Sequence, residues 1–236
     1  MRLLVFVVLI LGSALAYPNQ PQPGVTLIYN ESRPGEPSSM VRYIVRGNSM
    51  RTDFGPDSAG FVLFNGDEQT IYSVNDQDRS ILIIHPPVGH VDLPDDLALG
   101  ESRVEVSDVP QVGGAEPEHY RYTAGGQVCE DVYSVPGMLE DALPALRAYH
   151  TVLAREQLTT IDRIPPELRD PCEMARYVYA PTRHLNHGLL IRQSDGRGFL
   201  RELVTFRENK AINPVLFELP ADYRRMSLSD LSLPLE

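Results

Sequence analysis

Apolar and polar residues alternate along the first third of the chain, which predicts short strands that each bury one face. A first strand is expected at residues 25–30. In the strand that follows, Tyr43 and Val45 lie on one face and Arg42 and Arg46 on the other. We expect the first pair to face the core and the two arginines to face solvent. A register error of one residue would reverse this assignment.

Turn signals divide the following residues into a meander. Gly47-Asn48 and Asn65-Gly66 offer the positive φ angles that tight hairpins need. Strands are expected at 60–64, 69–74 and 79–85, and the last has the apolar character of a strand buried on both faces.

The second half of the chain combines two hairpins with a helical segment. Hairpins are predicted at 119–135 and 188–207, and residues 138–162 have apolar positions near helical spacing. This order predicts an α+β fold: a curved antiparallel β-sheet, or half-barrel, with helices packed on its concave face.

The N-terminus has the three parts of a secretory signal peptide. Arg2 precedes the unbroken apolar run 3–11, and Ala14-Leu15-Ala16 is a small-residue cleavage motif. We expect cleavage after Ala16 and a bacterial protein that is periplasmic or secreted. A membrane anchor is disfavoured, since a span needs about 20 apolar residues.

One domain should follow the signal peptide 1–16. We expect a flexible leader at 17–24, a single domain at 25–228 with a helical insert at about 138–180, and a loose tail at 229–236. No second apolar run is long enough to predict a transmembrane segment in the mature chain.

Charge and cysteine content restrict the function further. The formal net charge of −11 argues against nucleic-acid partners and against attraction to anionic membranes. Cys129 and Cys172 are the only cysteines, and an exported chain favours their pairing over two buried thiols. The disulfide would close a loop of about 43 residues and stabilise by roughly 3–4 kcal/mol.

Catalytic motifs are missing from the sequence, so we predict no enzyme and no cofactor. The acidic pair Glu130-Asp131 is expected to be solvated. His184 and His187 have the spacing of a metal-binding pair, with His150 or His85 as a possible third ligand. The simpler interpretation is a polar loop, and no metal is predicted.

Apolar and aromatic side chains are abundant on the predicted strands and on the main helix. They predict either an ordinary filled core or an apolar cavity that the helices cap. The candidate ligand-binding residues are Tyr43, Val45, Phe61, Tyr72, Ile81, Ile83, Tyr122, Leu146, Tyr149 and Leu153.

The hairpin at 41–54, the meander at 61–84 and the stretch 215–223 resemble the outer-membrane lipoprotein carrier superfamily. The likeness is closest to a bacterial domain-of-unknown-function group, whose C-terminal motif is matched by Phe217, Leu219, Pro220 and Tyr223. The resemblance implies a half-open β-barrel plugged by helices, in a protein that shields acyl chains. The arginine and the lid of the lipoprotein carrier have no residue-by-residue counterpart in this chain.

These observations predict an exported, non-catalytic binding protein that holds a lipid acyl chain or another hydrophobic ligand in the cell envelope. The expected partners are a lipid or lipoprotein acyl chain, or an envelope protein. One alternative is a protein-interaction module with a collapsed core and no ligand. Another is a metal-binding protein that uses His184 and His187.

Overall fold

The protein is seen in a computed structural model that describes residues 21–56, 58–87, 92–105 and 109–231. The predicted signal peptide, leader residues 17–20 and tail residues 232–236 lie outside the described residues. No helix within these ranges has the length and apolar character needed to cross a membrane.

The described chain forms twelve strands and a few helices. The strands are β1 Gln22–Ser32, β2 Ser39–Arg46, β3 Ser49–Asp53, β4 Gly60–Asn65, β5 Thr70–Asn75, β6 Ser80–Ile84, β7 Gly100–Val104, β8 Glu118–Ala124, β9 Gln127–Val135, β10 Leu189–Asp195, β11 Leu200–Ile212 and β12 Arg224–Ser227. The α-helices are α1 Leu143–Leu158, α2 Pro171–Met174 and α3 Leu228–Leu231. Short 3₁₀ turns span Asp95–Leu97, Glu140–Ala142, Ile161–Arg163, Pro166–Leu168, Arg183–Leu185 and Pro214–Phe217, and Ala175–Tyr179 is a π-helix.

All twelve strands belong to one open sheet in the order β12-β6-β5-β4-β3-β2-β1-β11-β10-β9-β8-β7. Every pairing is antiparallel except that of β12 with β6. The meander β2–β6 therefore forms one half of the sheet and β7–β11 most of the other, and β1 joins the halves by pairing with both β2 and β11. Strand β1 begins at Gln22, inside the range predicted as leader. The predicted α+β class with an open, mostly antiparallel sheet is confirmed.

Strand register confirms which side of the second strand faces the core. Tyr43 is 8% and Val45 2% exposed, and both belong to the main apolar core. The face that carries them is called the inner face here, and the opposite side the outer face. Arg42 lies on the outer face, where its guanidinium pairs with Asp53 at 2.8 Å and stays 49% exposed.

Helix α1 packs on the inner face through Ala145, Leu146 and Val152, which are at most 5% exposed. Pro144 stands in its first turn, where a proline needs no N–H partner, as the sequence predicts. The helix lies against β3 and β5. It therefore forms a second layer over the meander half of the sheet.

The C-terminal segment crosses the outer face of the meander. The Arg51 guanidinium donates to the Leu216 carbonyl at 2.9 Å, and Arg46 stands 4.5 Å from the Phe217 ring centroid. Arg46 is thus partly covered, although the sequence predicts that it faces solvent. Residues 214–217 therefore cover part of the outer face of the sheet.

The remaining helical segments follow α1 and occupy much of the insert predicted at 138–180. The predicted disulfide is confirmed: Cys129 of β9 and Cys172 of α2 are bonded, with their Cα atoms 5.1 Å apart. The disulfide ties the second half of the insert to the sheet.

Candidate functional site: two buried ionic clusters on the inner face

Several predicted ligand-binding residues share the inner side of the sheet. Tyr43, Val45, Tyr122 and Leu146 are at most 8% exposed and pack into one core. Tyr149, like the neighbouring Leu153, is half-buried and packs against that core from α1. The centre of the predicted cavity is therefore filled by the protein's own side chains.

The other four predicted residues lie on the outer face, so the predicted set does not line one cavity. Tyr72 pairs with Ile83 across β5 and β6, and Phe61 and Ile81 occupy the same outer side of their strands. Successive strand residues alternate between faces, and these four lie at the outward positions of their strands. Val62, Phe64, Ile71 and Ile84 occupy the inner positions instead.

An arginine is largely buried on the inner face of the sheet. Arg201 of β11 is opposite Glu31 of β1, and its Nε donates to Glu31 Oε1 at 2.8 Å. The two side chains are only 16% and 10% exposed. We call Arg201, Glu31, Tyr43, Tyr149 and His150 the Arg201 cluster.

Ring contacts and electrostatic coupling link the members of the Arg201 cluster. The Arg201 guanidinium stands 6.0 Å from the Tyr29 ring centroid, the Tyr29 and Tyr43 rings are 5.8 Å apart, and the Tyr149 and His150 rings are 5.4 Å apart. Burial raises the pKa of the Tyr43 hydroxyl, and Arg201 opposes part of that rise. The pKa of Tyr149 is raised by burial and by Tyr43, again against Arg201. Burial, His184 and Arg201 all lower the pKa of His150, which is therefore neutral at neutral pH.

Few of the polar atoms in the Arg201 cluster have a protein partner. Arg201 Nη1 and Nη2, the hydroxyls of Tyr43 and Tyr149, and the ring nitrogens of His150 form no hydrogen bond with any described residue. Within the described ranges, the fully buried side-chain atoms without a hydrogen-bond partner are Thr52 Oγ1, Ser134 Oγ and Arg183 Nη2. None of the unpaired atoms of the Arg201 cluster belongs to this set, so they are not fully buried and remain accessible to water.

A second ionic cluster surrounds Glu130, which is 1% exposed. Its carboxylate accepts from Arg183 Nε at 2.9 Å, from Arg176 Nε at 3.2 Å and from Gln193 Nε2 at 2.5 Å. We call these four residues the Glu130 cluster. The expectation that Glu130 is solvated was wrong, because Tyr122 opposite it in β8 points into the core.

The Glu130 cluster connects the helical insert to the sheet. Arg176 lies in the π-helix and also donates to Asp195 at 2.9 Å. Burial alone would raise the pKa of Asp195, but the backbone N–H groups of Phe199 and Arg197 and the Arg176 guanidinium hold it below its usual value. The side chains of the cluster bond mainly to one another, which is typical of a structural role.

A pocket of about 280 Å³ opens beside the disulfide and the Glu130 cluster. Its charged lining pairs with itself, since Arg197 binds Asp170 at 2.6 Å and also contacts Glu173. This pocket is neither apolar nor dominated by one charge.

The histidines predicted as candidate metal ligands have different neighbours. His184 is buried with its ring 4.9 Å from that of His150, whereas His187 bonds to Glu101 at 2.6 Å and stacks on Tyr120. Burial, with Arg201 next in importance, lowers the pKa of His184 to about 3. In the described parts of the chain, no three His, Cys, Asp or Glu residues form a group that could hold a metal ion.

Comparisons with known proteins leave the family open. No protein-family description matches the chain, and no curated protein matches it either. An uncharacterized conserved protein from Thermus thermophilus has a similar structure, with 10% identity, coverage of 87% of this chain and 91% of the other, and a TM-score of 0.45. PNGF-II in its C2 and P21 crystals gives 8% and 9% identity, coverage of 87% and 89% of this chain, and TM-scores of 0.41 and 0.43. This chain spans about a third of PNGF-II, at 31% and 32%. Likeness at this level assigns neither a family nor a function.

Proposed function

We propose that the protein is an exported, non-catalytic binding protein that holds a lipid acyl chain or a similar apolar group beside helix α1. In this proposal the sheet curves around α1 as a half-barrel of the lipoprotein-carrier kind. The ligand would lie where α1 leaves inner-face side chains incompletely covered.

The observation that carries the proposal is a set of half-buried apolar side chains at the contact of α1 with the meander. Tyr149 and Leu153 of α1 and Val62 and Ile84 of the sheet all pack against the core without being enclosed. The Tyr149 ring contacts Phe64 edge-on at 6.0 Å, which links the two sides. We call these four half-buried residues the apolar seam. A ligand that covered the seam would gain about 25 cal/mol per Å² of apolar surface removed from water.

Export is supported by the predicted signal peptide and by the disulfide, which is typical of oxidising compartments. The resemblance to lipoprotein carriers supports the same location in the bacterial envelope. Because a fold hosts many functions, the apolar seam and not the resemblance determines the choice of ligand.

Displacement of a neutral fluorescent probe tests this proposal. N-phenyl-1-naphthylamine should bind to the mature protein, and oleate should displace it. Leu153→Arg should abolish binding by placing a charge in the seam. The matched control is Leu168→Arg, because Leu168 is 70% exposed on the insert and should tolerate the change. If the wild-type protein binds neither the probe nor oleate, the proposal is refuted.

A second candidate function is a protein-interaction module without a ligand. It is favoured by the filled centre of the inner face, where Leu27, Met50 and Val152 are fully buried. Two observations together would support this candidate over the first. The purified protein would contain no lipid, and size-exclusion chromatography of a periplasmic extract would show the protein in a defined larger complex.

A further inference from the structure

We propose that Arg201 recognises the acidic group of the ligand, a carboxylate or a phosphate at the end of the apolar chain. This inference rests on the proposed function, because it assigns the polar end of the same amphiphile. The inference concerns the Arg201 cluster, whereas the apolar seam holds the chain.

The hydrogen-bonding capacity of the Arg201 cluster is dominated by donors. A guanidinium group has five N–H donors, and Glu31 takes the one on Nε. Nη1 and Nη2 stay available, and Tyr43, Tyr149 and neutral His150 each have a proton to donate. Glu31 is the one carboxylate of the cluster and already has its partner. A group with several acceptor oxygens complements this arrangement, and a carboxylate or phosphate can engage the Arg201 fork bidentately.

The Glu130 cluster uses its arginine donors differently from Arg201. There, two guanidinium groups and Gln193 close on one carboxylate, and Arg183 Nη2 is sealed without a partner. At Arg201 a single carboxylate meets one guanidinium, and the unpaired donors are open to water. Water on these donors can be displaced by a ligand whose acceptor oxygens reproduce the same hydrogen bonds.

Tyr149 connects the polar site with the apolar seam. Its hydroxyl lies within electrostatic range of Arg201 and Tyr43, while its ring contacts Phe64 on the meander. Tyr149 therefore packs against the core that contains Tyr43 and also contacts the meander through Phe64, so it lies between the two regions that an amphiphile would need. The acid group would lie at Arg201 and the chain would extend past Tyr149 toward the meander.

The test compares oleate, methyl oleate and lysophosphatidate as competitors of the neutral probe N-phenyl-1-naphthylamine. For the wild-type protein we expect an acid to bind about tenfold more tightly than the ester, as one charge-assisted contact predicts. Tighter binding by lysophosphatidate than by oleate would support the inference with phosphate as the acid, and the reverse would support it with carboxylate.

Arg201→Gln should remove the preference for acids while leaving methyl oleate within about twofold, since the ester cannot use the charge. Because this change leaves Glu31 unpaired, the double variant Glu31→Gln with Arg201→Gln keeps the test valid if the single variant does not fold. The control is Arg192→Gln, whose side chain is 51% exposed on the outer face.

Two results would contradict the inference, and they can be told apart. Equal binding of acids and ester by the wild-type protein, or an acid preference that survives both Arg201 variants, overturns the role of Arg201 while the proposed function stands. No binding of any of the three competitors overturns the proposed function together with the inference.

Discussion

Removal of the Glu130 carboxylate should destabilise the protein more than any other single loss of a charge described above. Glu130→Ala leaves Arg176 and Arg183 buried without their shared partner, and Gln193 without its acceptor. Breaking a buried ion pair by removing one member typically costs about 3–5 kcal/mol. Glu202→Ala is the matched control, because Glu202 is 44% exposed and faces Arg192 at 3.5 Å, where about 0–1 kcal/mol is expected.

Urea unfolding followed by circular dichroism measures this difference. With a denaturant slope of about 2 kcal/mol per M, a loss of about 4 kcal/mol lowers the midpoint by about 2 M. The Glu202→Ala midpoint should stay within about 0.5 M of the wild type. If Glu130→Ala lowers the midpoint no more than Glu202→Ala does, the Glu130 cluster does not anchor the insert.

Two further predictions concern stability. Replacing both Cys129 and Cys172 by Ala should cost about 4 kcal/mol in the loop-entropy model, measured by the same urea titration, and an unchanged midpoint would contradict it. Acid should also destabilise the fold, because His184 and His150 have pKa values lowered from 6.5 and stay neutral while the unfolded chain takes up protons. Their contribution is complete above about pH 6.5 and falls as the pH drops toward the folded-state values; for His184, whose folded-state pKa is about 3, the loss is about 2 kcal/mol at pH 5. His184→Gln should flatten this pH dependence, and an unchanged dependence would refute the assignment.

The inner and outer sides of β2 could be predicted because Tyr43 and Val45 alternate with arginines. The same reasoning failed at residues 61–64 and 81–84, where both faces carry apolar side chains. When odd and even positions of a strand are both apolar, the sequence does not show which of them face the core. Strand pairing alone then decides which residue points inward. Apolar residues occur on the outer face because the C-terminal segment covers that side of the meander. The local sequence pattern does not reveal this cover.

The ionic clusters were missed for a related reason. Glu130 and Asp131 look alike in sequence, yet they lie on opposite faces, and only Glu130 enters the core. Arg201 lies two residues before the inward-facing Leu203 in β11, so the two side chains share a face of the strand. This spacing was the one feature of the sequence that could have placed Arg201 on the inner face. Its pairing with Glu31 joins strands that are far apart in sequence, so spacing could not reveal it.

The central claim is that the mature protein carries an amphiphile at the apolar seam. Native mass spectrometry of protein expressed with export to the bacterial periplasm tests it most directly. We expect discrete adducts with the masses of acidic lipids, present in the wild type and in Leu168→Arg but lost in Leu153→Arg. A single adduct-free species from freshly isolated wild-type protein, unchanged after addition of oleate, would contradict the account.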